Sequence, residues 1–140
     1  MNPAAIRMAV YARLNVAGIT SLLSQAYGAE VPIWAYRAPQ SVDSEDPARF
    51  PYVTYSVPSG AYFGDKGAAG DNAIVQVDIW SRGTGPALEA IAKAAHDRLH
   101  KAEWTVTGFV EAIVEGMDFS QDPDGQTRRC LIRCRVVALP

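Results

Sequence analysis

Apolar residues near the start of the chain recur at spacings of three and four: Ile6, Ala9, Val10 and Leu14. With Asn2 placed to cap and Pro3 at the first helical position, the pattern predicts a helix to about Leu14 that covers one face of a sheet. A second short helical stretch, Ile19 to Ala26, is expected to end at Gly28. The run Val31-Pro32-Ile33-Trp34-Ala35-Tyr36 then reads as a strand whose early proline places it at an edge. Between Ala38 and Phe50 stand Pro39, Pro47, Asp43, Glu45 and Asp46, which predict a surface loop.

From Tyr52 to Val57 the pattern alternates. Val53, Tyr55 and Val57 face one way and Tyr52, Thr54 and Ser56 the other, as in a half-buried strand, and Pro58 stops it. Ser59 to Asn72 holds Gly60, Gly64, Gly67 and Gly70 together with Tyr62, Phe63, Asp65 and Lys66, a composition too rich in glycine for a regular element. A connection of that length is a candidate partner-binding segment. Alternation resumes over Ala73 to Ser81, with Val75, Val77 and Ile79 opposing Ile74, Gln76, Asp78 and Trp80, which predicts a central strand. Thr84 or Gly85 then caps a helix beginning at Pro86. Leu88, Ile91, Ala92, Ala95 and Leu99 form its apolar stripe, running through about Lys101.

The last third predicts a hairpin around Ser120-Gln121-Asp122-Pro123-Asp124-Gly125. In its first strand Val110, Ala112, Val114 and Gly116 oppose Phe109, Glu111, Ile113, Glu115 and Met117. In its second, Cys130, Ile132, Cys134 and Val136 oppose Arg129, Leu131, Arg133, Arg135 and Val137. Pairing like faces sets Glu111 and Glu115 beside the arginines, whereas a slip of one residue would bury charge at a cost of several kcal/mol. Asp78 and Gln76 fall on the same polar side, offering a carboxylate to Arg133 or Arg135. The expected fold class is α+β: a mainly antiparallel sheet of about four strands with helices packed on one face.

Composition narrows the function more than the fold. The 140 residues suit one domain spanning the whole chain, with 49% hydrophobic and 20% charged residues, as in an ordinary globular protein. A net charge of -2 gives no global attraction to phosphate or anionic lipid. No apolar run is long enough to cross a membrane and the start lacks a secretory signal, so a protein made and kept in a cytosol is expected. Cys130 and Cys134 stand four apart in a strand, about 13 Å between α-carbons at ~3.3 Å per residue. That is too far for a disulfide or a shared metal, so they are expected to behave as small core residues.

Little catalytic chemistry is visible. His96-Asp97-Arg98-Leu99-His100 sets two imidazoles four apart on a helix and imitates a zinc-hydrolase signature, with Glu103 as a conceivable third ligand. The shorter Asp97 reaches less far than the usual glutamate, however, and no third histidine follows. Gly64, Gly67 and Gly70 precede a strand, where a phosphate-binding loop would precede a helix. Arg128, Arg129, Arg133 and Arg135 could follow a nucleic-acid backbone, with Trp80 or Tyr52 as a stacking platform. Glu111, Glu115 and Asp78 on the same face would neutralise much of that charge. No cofactor and no metal are expected.

Taken in order, several segments resemble the tail completion, or tail terminator, family of long-tailed phages and phage-derived gene transfer agents. They are the amino-terminal helices, Trp34-Ala35-Tyr36-Arg37-Ala38-Pro39, Phe50-Pro51-Tyr52-Val53-Thr54-Tyr55, Val75-Gln76-Val77-Asp78-Ile79-Trp80-Ser81, the Leu88 to His100 helix and Gln126 to Val137. The resemblance implies a structural subunit without enzymatic activity. It would assemble in the host cytoplasm as a homo-hexameric ring on the tail-tube protein, end tube growth and meet the head connector or head-closure protein at the head-tail junction. A head-closure or minor tail protein of the same particle is the alternative, and a small metal-dependent hydrolase using His96 and His100 a more distant one. Neither membrane nor specific nucleic-acid binding is implied. The residues expected to meet protein partners are Tyr62, Phe63, Asp65, Lys66, Gln76, Asp78, Glu111, Glu115, Arg129, Arg133 and Arg135.

Overall fold

A computed structural model of the chain describes residues 3–28, 30–40, 48–57, 63–64, 71–83 and 87–139. Helix α1 (Pro3–Leu14) buries the expected face of Ile6, Ala9, Val10 and Leu14. Its expected cap, Asn2, lies outside the described residues, as do Thr84 and Gly85 before the third helix. The second helix is one turn, α2 (Ala17–Thr20), and does not reach Ala26. Gln25 Nε2 donates to the carbonyl oxygens of Thr20 and Leu23 at 3.0 and 2.8 Å, and the Ser24 N–H donates to Pro51 O at 2.9 Å. These bonds use backbone groups that a continuing helix would have paired internally.

The strands are β1 (Ile33–Ala35), β2 (Tyr52–Ser56), β3 (Phe63–Gly64), β4 (Asp71–Arg82), β5 (Phe109–Gln121) and β6 (Thr127–Ala138), with helix α3 (Ala87–Leu99) between β4 and β5. Five of them lie in the order β1-β2-β4-β6-β5, one more than the four or so expected, and β3 adds two residues to β4. Among the described residues only β1 and β2 run parallel. The glycine-rich segment, expected to hold no regular element, thus contributes β3, where Phe63 pairs with Asn72 and Gly64 with Asp71. Tyr62, Asp65 and Lys66 lie outside the described residues.

One core forms between the helices and a single face of the sheet. Ala73, Val75, Val77 and Ile79 of β4 and Cys130, Ile132, Cys134 and Val136 of β6 meet Leu88, Ile91, Ala92, Ala95 and Leu99 of α3. Helix α1 packs on α3, β1 and β2. The two cysteines occupy core positions opposite Ile79 and Val75, and burial pushes their thiols up to about 11 and about 12.

The β5–β6 hairpin pairs like faces, but strand β5 does not keep the unbroken alternation expected of it. Register shifts fall between Phe109 and Glu111 and between Val114 and Gly116. Each is a β-bulge, one extra residue that reverses which side chains face the core. Phe109 and Met117, expected on the polar face, pack against the core, while Gly116 moves to the polar face opposite Arg133 and Val110 is left exposed. The preference is energetic: burying a methionine side chain contributes roughly 1.5–3 kcal/mol and burying a glycine hydrogen almost nothing.

Strand β5 is also the free edge of the sheet, and α3 closes its middle. The Lys101 N–H donates to Ala112 O at 2.8 Å, and the Val114 N–H donates to His100 Nδ1 at 3.0 Å. Lys101 reaches Ala112 by turning to a φ of 53°, the left-handed conformation that ends many helices.

Candidate protein interface on the outer sheet face

Pairing register places the polar side chains in rows across the face opposite the helices. Tyr52, Trp80, Arg129 and Ser120 form one row, followed by Trp34, Thr54, Asp78, Leu131 and Asp118. The next row holds Ser56, Gln76, Arg133 and Gly116, and beyond it lie Ile74, Arg135 and Ile113, then Asn72, Val137 and Glu111. Gln76, Asp78, Arg129, Arg133 and Arg135 therefore share one surface, as the alternation in β4 and β6 predicts. Glu111 belongs to the same face at the free edge, and Glu115 reaches it from the second bulge.

The charges on this face are largely matched. Asp78, only 9% exposed, accepts from Gln76 Nε2 at 3.1 Å, and its Oδ1 lies 3.3 Å from Arg129 Nε. Arg135 Nε lies 2.6 Å from Glu115 Oε1. Asp78 Oδ1, Arg129 Nε and Arg135 Nε make no hydrogen bond of good geometry, so both pairs are close ionic contacts. Asp78, expected to meet Arg133 or Arg135, instead meets Arg129, further along β6. Arg128 Nη2 donates to Glu89 Oε1 of α3 at 2.6 Å. Among the described residues Arg133, Glu111 and Asp118 have no ion pair within 4 Å, and all three are exposed.

An aromatic row escaped sequence reasoning. Tyr27 meets Trp34 edge-on at 5.4 Å, Trp34 meets Tyr52 at 5.9 Å, Tyr52 stacks on Trp80 at 6.2 Å, and the Arg129 guanidinium lies 5.2 Å over Trp80. Trp80 Nε1 donates to Thr54 Oγ1 at 3.4 Å. Phe50 packs on Tyr52 and carries Arg82 4.5 Å above its ring. Tyr52 and Thr54 are each 7% exposed on a face that holds no helix among the described residues, and burial raises the Tyr52 hydroxyl above its ordinary pKa. Part of the signal was present in the sequence, since alternation sets Tyr52 and Trp80 on the polar sides of their strands. Tyr52 is thus closed to a stacking base, and three of the four arginines on β6 already hold carboxylates.

The histidine pair does not converge on a metal position. His96 and His100 stack with ring centroids 4.9 Å apart, His96 Nδ1 lies 3.2 Å from Asp97 Oδ1, and His100 Nδ1 accepts the Val114 amide. Among the described residues no three His, Cys, Asp or Glu side chains are grouped to hold an ion. No helix among them is long and apolar enough to cross a membrane.

Residues 8–139 match the family model described as Tail completion protein gp17. The chain belongs to this tail completion family. No curated protein matches the sequence. Among solved structures, a chain of "Virion of native gene transfer agent (GTA) particle" aligns at a TM-score of 0.75 and 20% identity, covering 98% of this chain and 96% of that one. "Structure of bacteriophage SPP1 gp17 protein" aligns at a TM-score of 0.56 and 19% identity, covering 99% and 91%. At these identities the likeness is one of fold, and it extends over nearly the whole chain.

Proposed function

We propose that this tail completion protein works as a structural subunit of a phage or phage-like tail, without catalytic activity. In this reading it forms a ring that caps the tail tube, ends its polymerisation and joins it to the head connector. The observation that carries the proposal is the family match over residues 8–139. The likeness in fold to a chain of a gene transfer agent virion agrees with a place in such a particle, and within it we assign the head-tail junction.

The outer sheet face supplies a surface suited to such a role. Ile74, Ile113, Leu131 and Val137 are half-buried there, interleaved with Gln76, Arg133, Arg135 and Glu115, and among the described residues no helix packs on them. Apolar area mixed with arginine is the composition of protein interfaces, where a few desolvated anchors carry most of the affinity. Neighbouring subunits would meet on this face and at the strand edges, leaving the glycine-rich segment from Gly60 to Asp71 and the acidic segment from Asp43 to Asp46 to contact tube or connector.

Size-exclusion chromatography with light scattering, on the protein alone and with tail-tube protein, tests this reading. A ring-sized assembly on the tube protein is the expected result. A strict monomer in both settings would count against tail termination.

A further inference from the structure

Strand β6 carries four arginines, and three are engaged within the chain: Arg128 by Glu89, Arg129 by Asp78 and Arg135 by Glu115. Arg133 is exposed and has no carboxylate within 4 Å among the described residues. Its flanking neighbours in register are Gln76 on β4 and Gly116 on β5. A Cβ built on Gly116 would meet nothing within 4 Å, so among the described residues the position paired with Arg133 on β5 is open. The second bulge creates that opening by bringing Gly116, rather than a larger side chain, to the outer face.

The same face also holds exposed carboxylates without an ion pair among the described residues. Asp118 and Glu111 both lie on the edge strand β5, in the rows on either side of Arg133 and Arg135. A guanidinium and carboxylates left over on one surface are complementary to a second copy of that surface.

We propose that Arg133 is an assembly anchor: in the subunit ring it receives a β5 carboxylate, Glu111 or Asp118, from the neighbouring copy of this chain. The inference rests on the ring reading above. Arg133 and the β5 carboxylates stand at different places on the face, so a two-fold pair of copies would form the contact twice, whereas a head-to-tail neighbour in the ring would form it once per interface. That one-way contact is the type that closes into rings. A planar fork of donors suits a carboxylate, and the acidic neighbours Asp78, Glu115 and Asp118 disfavour a polyphosphate backbone in the same place.

Sedimentation velocity on wild type, Arg133→Glu and Glu111→Arg/Asp118→Arg across a concentration series reads the anchor directly. The wild type is expected to self-associate, and each charge reversal to weaken that association by about 10-fold or more, as loss of a close interfacial charge pair does. Carbodiimide treatment of the Arg133→Lys variant, as a mixture of light and ¹⁵N-labelled protein, should join the introduced amine to Glu111 or Asp118 across isotopes. Undiminished self-association in Arg133→Glu, or a cross-link only within one chain, overturns the anchor while leaving the ring intact. A monomeric wild type removes the ring itself. Loss of binding to a single-stranded oligonucleotide in Arg133→Glu, with self-association unchanged, would reassign the residue to nucleic acid.

Discussion

His100 Nδ1 accepts the backbone N–H of Val114 across 3.0 Å, so a side chain from the end of α3 pairs an amide on the free edge of β5. An imidazole accepts there only when that nitrogen is unprotonated, which assigns the ring proton to Nε2. Removing the acceptor in His100→Ala leaves a partly buried amide without its partner. We expect a loss of about 1–3 kcal/mol in stability, read from the urea midpoint. His100→Gln, which keeps an acceptor, should recover part of it.

Gly108 tests the other end of the same strand. It holds a φ of +74°, and its carbonyl accepts the Leu139 N–H at 2.6 Å. A Cβ there would collide with the Leu139 carbonyl oxygen. Gly108→Ala therefore combines left-handed strain, about 1–2 kcal/mol on its own, with a backbone clash. The expected total is above about 2 kcal/mol, measured by thermal or denaturant unfolding. Gly28→Ala has similar strain and open space around it, and should cost less.

Thiol chemistry reports on the core. With burial holding Cys130 at about 11 and Cys134 at about 12, native protein at pH 8 contains almost no thiolate. Ellman's reagent should label neither cysteine on the timescale of minutes, and both at once in urea. Rapid labelling of the native protein would show that α3 does not seal this part of the sheet.

Acid sensitivity should centre partly on the β5–β6 turn. Asp124 accepts from the Thr127 hydroxyl at 2.6 Å and from the Thr127 and Gln126 amides, each at 2.8 Å, and these bonds, with a smaller contribution from Arg82, lower its carboxyl from 3.8 to about 2. A folded value below the unfolded one gives stability that is complete above about pH 4 and lost as pH falls toward 2. Asp124→Asn should flatten the decline in melting temperature over that window. An unchanged slope would mean that the turn is not held by the ionised form.

Much of the fold was legible because burial enforces period. The helical stripe of Leu88, Ile91, Ala92, Ala95 and Leu99 and the alternation of Val75, Val77 and Ile79 are each long enough to admit one solution. Strand β5 departs from its expected faces before Glu111 and again after Val114 because a bulge leaves no mark in a pattern of alternating residues; the trace of the second is that Gly116 makes a poor core residue beside Met117. The partner of Asp78 differs from the expected one for a related reason. Period specifies a face, whereas the choice among Arg129, Arg133 and Arg135 depends on the stagger between strands. The roles of His100 and Gly108 depend on contacts between distant segments, which no local spacing encodes.

The seal on β5 has a kinetic consequence. A bare edge strand recruits any extended chain it encounters, and β-sheets joined edge to edge grow without limit. Because His100 and Lys101 belong to the same chain as the edge they occupy, the block forms as the domain folds, before any neighbour arrives. On that middle stretch another chain's backbone finds its places taken, and a neighbour has to be recognised by side chains or along the rest of the edge.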